Sequence, residues 1–282
     1  MSIALVTDST ACLSPQDAAR HGITVVPLHV VLDGADELDG GRAETARVTE
    51  TLRRQAPATT SRPAPQAFEE AYAACVRNGA TEIVSVHLSG RLSGTVDAAR
   101  LAAASAGVPV RVVDSRTLGM ALQIAVLGAA AEVAAGGSGA LVEAVAAERA
   151  EASSLAFCVD SLEPLRRGGR IGGASALLGQ VLAIKPILAV SDGGIVPLER
   201  VRTSARALQR LEEISAAAAG EQRVDIGVHH MAAPDRAEAL ADRLRRRVPQ
   251  LGSLEVVDLP SVVAVHVGPG TLGVSVSPRP QD

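Results

Sequence analysis

Residues 82–103 read EIVSVHLSGRLSGTVDAARLAA, and this stretch decides the architecture. Glu82–His87 is short, β-branched and apolar, the composition of a buried strand. Leu88–Leu92 is a polar turn containing glycine, and Ser93–Ala104 has the spacing of a helix. Downstream, Val110–Val113 reads as a strand and Thr117–Ala135 as a helix. Strand–helix alternation of this kind predicts a mostly parallel sheet covered by helices on both faces. Binding sites in such sheets lie beyond the carboxyl ends of the strands, which here means the segment after His87.

The same alternation extends towards the N-terminus. Ile3–Thr7 reads as a first strand ending at Asp8-Ser9-Thr10, and Ser14-Pro15 opens a helix with an N-cap serine and a proline in the first turn. Thr24–Leu32 reads as a second strand, Asp33–Arg42 as a polar loop, Glu44–Arg54 as a helix and Pro65–Asn78 as another. Past residue 150 the pattern changes. Lys185–Val190 and Ile195–Val201 flank Ser191-Asp192-Gly193-Gly194 and read as a hairpin. Thr203–Ala219 and Pro234–Val248 read as helices, and Arg223–His229, Leu254–Leu259 and Val262–Val267 as strands. The expected fold is two α/β domains, residues 1–157 with a mostly parallel sheet and residues 158–282 with a mixed sheet.

The chain has 282 residues, a formal net charge of −4, 47% hydrophobic and 21% charged residues, which is a globular balance with ample core. Mild acidity argues against a nucleic-acid binder. Phe68, Tyr72 and Phe157 are the only aromatic residues, too few for base-stacking platforms. Lys185 is the sole lysine and no G-x-x-x-x-G-K-[ST] element surrounds it, so a P-loop is excluded. Cys12, Cys75 and Cys158 are far apart, form no C-x-x-C motif and read as reduced thiols. The start has no basic n-region with a long apolar stretch, and Ala121–Ala140 is too weakly hydrophobic to span a membrane. A cytoplasmic protein is expected.

Candidate functional segments stand at the predicted strand ends. Ser89–Thr95 would present free N–H groups and a positive helix end to an anion, with Ser93 adding a hydroxyl; a capping serine is the plain alternative. A nucleophile elbow fails there, because Gly90 lies three residues before Ser93 rather than two. Thr60 and Ser61 sit in a segment stiffened by Pro63 and Pro65, either a rigid linker or a holder of one oxygen-rich group. Residues 266–273 contain G-x-G-x-x-G, but too few residues follow for a dinucleotide-binding βαβ unit. His266 is placed at a strand end beside the expected cleft, as either a structural or a ligand-facing histidine. His229-His230 lacks metal-ligand company and reads as structural. The Asp-Ser pairs at 8–9, 114–115 and 160–161 read as caps or as cleft-lining groups.

Taken together, these segments resemble the DegV family. Val6–Thr10, Thr60-Ser61-Arg62-Pro63-Ala64-Pro65, Leu92-Ser93-Gly94-Thr95, Ser161–Ile171 with Ile184–Leu188, and His266–Gly273 match its motifs in order and spacing across essentially the whole chain. The resemblance implies two α/β domains with a long-chain fatty acid between them and no metal or other cofactor. Carried over by motif, the carboxylate would be held by Thr60, Ser61, Ser93, Gly94 and His266. Arg202, with Arg200 one strand period away, and Arg170 would serve phosphotransfer or partner contact. The implied role is a lipid-binding carrier subunit without its own nucleotide site, acting in phospholipid metabolism. It would present the acid to a separate ATP-dependent fatty acid kinase subunit, with no nucleic-acid partner and at most transient contact with a membrane surface. The alternatives are a serine-dependent acyl hydrolase or transferase, or a fatty-acid transport or regulatory protein. Gly119, Ala121 and Gln123 depart from the family pattern after Asp114-Ser115, and Val96-Asp97 departs after the L-S-G-T turn, which puts the acyl pocket's shape outside the motif reading.

Overall fold

A computed structural model describes residues 2–40, 42–177 and 184–280. Of the expected Asp33–Arg42 loop, Gly41 lies outside the described residues, as does Met1 of the N-terminal reading. In chain order the first half comprises β1 (Ile3–Asp8), α1 (Pro15–Arg20), β2 (Ile23–Val26), β3 (His29–Leu32), β4 (Ala35–Leu38), α2 (Arg42–Arg53), β5 (Ala58–Ser61), α3 (Pro65–Arg77), β6 (Glu82–His87), α4 (Thr95–Ala103), β7 (Val110–Asp114), α5 (Met120–Ala134) and α6 (Gly139–Ala152). The second half comprises β8 (Ser154–Cys158), α7 (Glu163–Arg167), β9 (Lys185–Ser191), β10 (Gly194–Val201), α8 (Ser204–Ala219), β11 (Val224–His230), α9 (Pro234–Arg247), β12 (Leu251–Asp258), α10 (Ser261–Val267) and β13 (Leu272–Pro278).

The fold is two α/β domains. The first carries a parallel sheet ordered β2-β1-β6-β7, the second a mixed sheet ordered β10-β9-β8-β13-β11-β12 in which β11–β12 is the parallel pair. Helix starts follow local chemistry. Ser14 Oγ accepts the Asp17 N–H at 3.0 Å ahead of Pro15, and Thr203 Oγ1 accepts the Arg206 N–H at 3.2 Å at the head of α8. Helices α3 and α4 bury Phe68, Tyr72 and Ala98 against the outer face of the parallel sheet. Helices α8 and α9 bury Leu211, Leu240 and Leu244 against the mixed sheet. Helix α5 touches β1 and β6 on one side and β13 on the other, so one apolar core runs through both domains, from Leu5 and Val84 to Phe157 and Leu188.

The structure departs from the sequence expectation in several elements. Pro27 breaks the expected Thr24–Leu32 strand into β2 and β3, and β3 leaves the main sheet for an antiparallel sheet ordered β4-β3-β5. The segment bearing Thr60 and Ser61 is thus a strand pairing with β3, not a linker. Helix α6 escaped the sequence reading because its buried stripe is only Gly139, Val142, Ala146 and Ala150, too small and narrow to show a clear period. Val262–Val267 is helix α10, not a strand: a short β-branched run has no decisive period, and Pro260 heads it as N-cap. His266 therefore sits in the last turn of a helix. The chain crosses from one sheet to the other between α6 and β8.

Candidate functional site

The carboxyl ends of β1 and β6 are locked by one carboxylate. Asp8 Oδ1 accepts from the Thr10 N–H at 3.0 Å and the Thr10 hydroxyl, and Oδ2 accepts from the Leu88 N–H and His87 Nδ1, both at 3.0 Å. The relay continues inward: His87 Nε2 accepts from Ser85 Oγ at 2.7 Å, and the Tyr72 hydroxyl donates to Ser85 Oγ at 2.9 Å. This Ser–His–Asp chain has a catalytic triad's connectivity, yet Asp8, Ser85, His87 and Tyr72 are fully buried in the core. It is a scaffold that fixes where the turn after β6 emerges.

That turn is also tied to the second domain. Ser89 Oγ donates to the Gly193 carbonyl at 2.7 Å, and Arg91 Nη1 donates to the Asp192 carbonyl at 2.9 Å in the β9–β10 turn. Arg170 crosses in the opposite direction, donating from Nε to the Leu92 carbonyl at 3.0 Å and from Nη1 to the Gly168 carbonyl at 2.6 Å. Asp114 accepts the Gly90 and Arg116 N–H groups, so that Asp-Ser pair caps a turn, while Asp160 receives Lys185 Nζ at 2.7 Å.

Between the domains lies a cavity with about 910 Å³ of empty space, part of it open to solvent. Its wall is largely aliphatic, with Leu28, Leu88 and Leu118 from the first domain and Leu155, Val190 and Ile195 from the second. Thr60, Ser61, Ser93, Arg170 and His266 all line this one cavity. Thr60 Oγ1 and His266 Nε2 are hydrogen-bonded at 2.8 Å across 206 positions of sequence. Ser93 Oγ is bonded to Thr95 Oγ1 at 2.8 Å, not to a histidine. Gly94 is the N-cap of α4 and supplies no side-chain cap, so the first-turn N–H groups of that helix keep the donor character of a helix N-terminus. Burial, and secondarily the Arg170 charge, push the His266 pKa down to about 4, so the ring is neutral at pH 7. Arg202 stands apart: it follows β10, is exposed and does not line the cavity.

Three contributors were missed. Arg62 lines the cavity mouth, and its guanidinium lies where a Cβ on Gly94 would be, 2.2 Å from Nη1. Its sequence signal was its place inside the Thr60–Pro65 segment. Thr95 is fully buried behind Ser93. His229, expected to be merely structural, lines the cavity wall. The glycines of residues 268–273 turn the chain from α10 into β13: Gly268 and Gly270 have φ of 79° and 82°, and an added Cβ on Gly270 would meet Asp160 Oδ2 at 2.1 Å. Among the described residues no group of acidic, histidine or cysteine side chains is arranged to hold a metal, and no helix is long and apolar enough to cross a membrane.

The family model described as "Uncharacterised protein, DegV family" matches residues 2–279. A DegV domain-containing protein of Streptomyces coelicolor is 52% identical over 277 residues, covering 98% of this chain and 99% of that one. Among solved structures, a DegV family protein from Thermus thermophilus described for its fatty acid binding superposes with a TM-score of 0.93 at 33% identity, over 99% of this chain and 100% of that one. DegV from Bacillus subtilis, described as a fatty acid binding protein, superposes with a TM-score of 0.89 at 27% identity, over 99% of this chain and 100% of that one. The chain belongs to the DegV family.

Proposed function

We propose that this protein binds a long-chain fatty acid in the interdomain cavity and presents its carboxylate to a separate ATP-dependent kinase subunit. The observation that carries the reading is an aliphatic cavity with two hydrogen-bonded hydroxyls set in its wall, Thr60 bonded to His266 and Ser93 bonded to the buried Thr95. Burying about 14 methylenes yields roughly 11 kcal/mol before association costs. Burying the carboxylate costs several kcal/mol unless donors meet it. With the proton of neutral His266 on Nε2, the ring donates to Thr60 Oγ1 and frees the Thr60 hydroxyl to donate to a carboxylate oxygen. Ser93 does the same when Thr95 donates to it. Gly94, Ser61 and the positive end of α4 complete the cradle, and the Arg62 and Arg170 charges favour the anion.

Phosphoryl transfer from the kinase's ATP to the carboxylate oxygen would leave an acyl phosphate here and ADP on the partner. Arg202, exposed after β10 with Arg200 nearby, is the proposed partner-facing residue; Arg170 is committed to the Leu92 and Gly168 carbonyls and instead holds the two domains in register. The hydrolase alternative has less support, because Ser93 lacks a histidine partner and the Ser85–His87–Asp8 chain is sealed in the core. Isothermal titration of delipidated protein with stearate and oleate tests the reading. Saturable binding supports it, and no binding of either acid overturns it. A pull-down of ATP-dependent acyl-phosphate-forming activity, lost in Arg202→Ala with fatty-acid binding intact, tests the partner step.

A further inference from the structure

We propose that His229 makes the acyl cavity selective for a chain bearing an oxygen substituent, a hydroxylated fatty acid in preference to a plain one. The proposal rests on the fatty-acid reading above and adds the chemical class of the acid. His229 lines the cavity, is 1% exposed, and neither ring nitrogen has a hydrogen-bond partner within the protein among the described residues. Burial, with a smaller contribution from His230, pushes its pKa down to about 4, so the ring is neutral at pH 7. A neutral imidazole carries one N–H donor and one acceptor, and leaving either buried and unmet forfeits the hydration it has in water.

The ring's position is built rather than incidental. Gly119, at φ +67°, faces it: an added Cβ there would lie 2.9 Å from His229 Cε1. Gly119 also lines the cavity, so space a side chain would occupy is given to the imidazole. The carboxylate has its own residues on β5, α10 and the head of α4, whereas His229 stands on β11 facing the start of α5. Two further hydroxyls on the wall already spend their protons. Thr10 Oγ1 donates to Asp8, and Thr271 Oγ1 donates to the Val267 and Gly268 carbonyls at 3.1 and 2.8 Å. They offer only acceptor lone pairs, which suit an alcohol proton and repel a second carboxylate. A chain hydroxyl both donates and accepts, and so matches an imidazole in either tautomer. An unsubstituted methylene leaves both nitrogens unmet.

The test titrates delipidated full-length protein with stearic acid and with a positional series of monohydroxystearic acids, by calorimetry and by native mass spectrometry. Wild type, His229→Leu and His229→Gln are compared. At least one hydroxy isomer should bind roughly tenfold more tightly than stearate to wild type. His229→Leu should erase that preference while stearate binds at least as well, and His229→Gln, which keeps a donor and an acceptor, should retain part of it. Equal or weaker binding of every hydroxy isomer to wild type overturns the inference and leaves the fatty-acid reading standing. A preference that survives in His229→Leu also overturns it. If wild type binds neither stearate nor any isomer, the fatty-acid reading fails and takes this inference with it.

Discussion

Ser93 and Thr60 reach the cavity already hydrogen-bonded to neighbours, Thr95 and His266, so their orientation is fixed before any ligand arrives. Hydrogen bonds to a charged group are worth about 1.5–3 kcal/mol, so Ser93→Ala and Thr60→Val should each weaken fatty-acid binding by at least tenfold. Calorimetry on folded variants checks this, and affinities equal to wild type would refute the head-group assignment. The Tyr72–Ser85–His87–Asp8 relay acts on stability instead. His87→Ala removes the link between Asp8 and Ser85 and leaves a void, and should cost about 2–4 kcal/mol in urea unfolding. The hydroxyl residues were legible in the sequence because their motifs are contiguous. The relay was not: Asp8 and His87 are 79 positions apart, and nothing local to either announces the other.

At the level of elements, three glycines distinguish strain from crowding. Gly119 has φ +67° and ψ −145°, a region almost reserved for glycine, and an added Cβ would meet the fixed His229 ring. Gly119→Ala should therefore lose about 1–3 kcal/mol of stability. Gly94 has ordinary φ of −75°, and the added Cβ meets only the far end of Arg62, which can swing away. Gly94→Ala should unfold at nearly the wild-type temperature. Comparing the two by chemical denaturation tests whether backbone conformation, not space alone, sets the cost. Gly168→Ala would place a Cβ 2.1 Å from His266 Nδ1 and should displace the ring from Thr60, weakening acid binding more than folding. Strand–helix alternation made the parallel sheet readable, since helix and strand periods differ over ten residues or more. Helix α10 was unreadable by the same rule, because Ser261–Val267 is too short for either period to declare itself.

For the molecule as a whole, one apolar core joins both domains, and ligand binding should stabilise both together. A fatty acid at a hundred times its Kd adds about 2.7 kcal/mol, seen as a rise of several degrees in Tm. Acid should act the other way. Burial lowers the His229 and His266 pKa values to about 4, while the unfolded chain's histidines titrate near 6.5. The unfolded state therefore gains protons first: this stability is complete above about pH 6.5 and is lost as pH falls towards 4. At pH 5 the His229 share is about 2 kcal/mol, so the drop in unfolding free energy from pH 7 to pH 5 should shrink by that amount in His229→Leu. The sequence by itself determined the two-domain α/β plan and many helix starts, because periodicity, capping and glycine placement act over a few neighbouring residues; the motif hydroxyls were singled out by family resemblance. Only the tertiary structure decided that Thr60 meets His266, that Arg170 reaches the Leu92 carbonyl across the cleft, and that His229 opens into a cavity rather than a filled core. Those facts arise where two sheets built from distant parts of the chain face each other, and no local pattern encodes the distance between them.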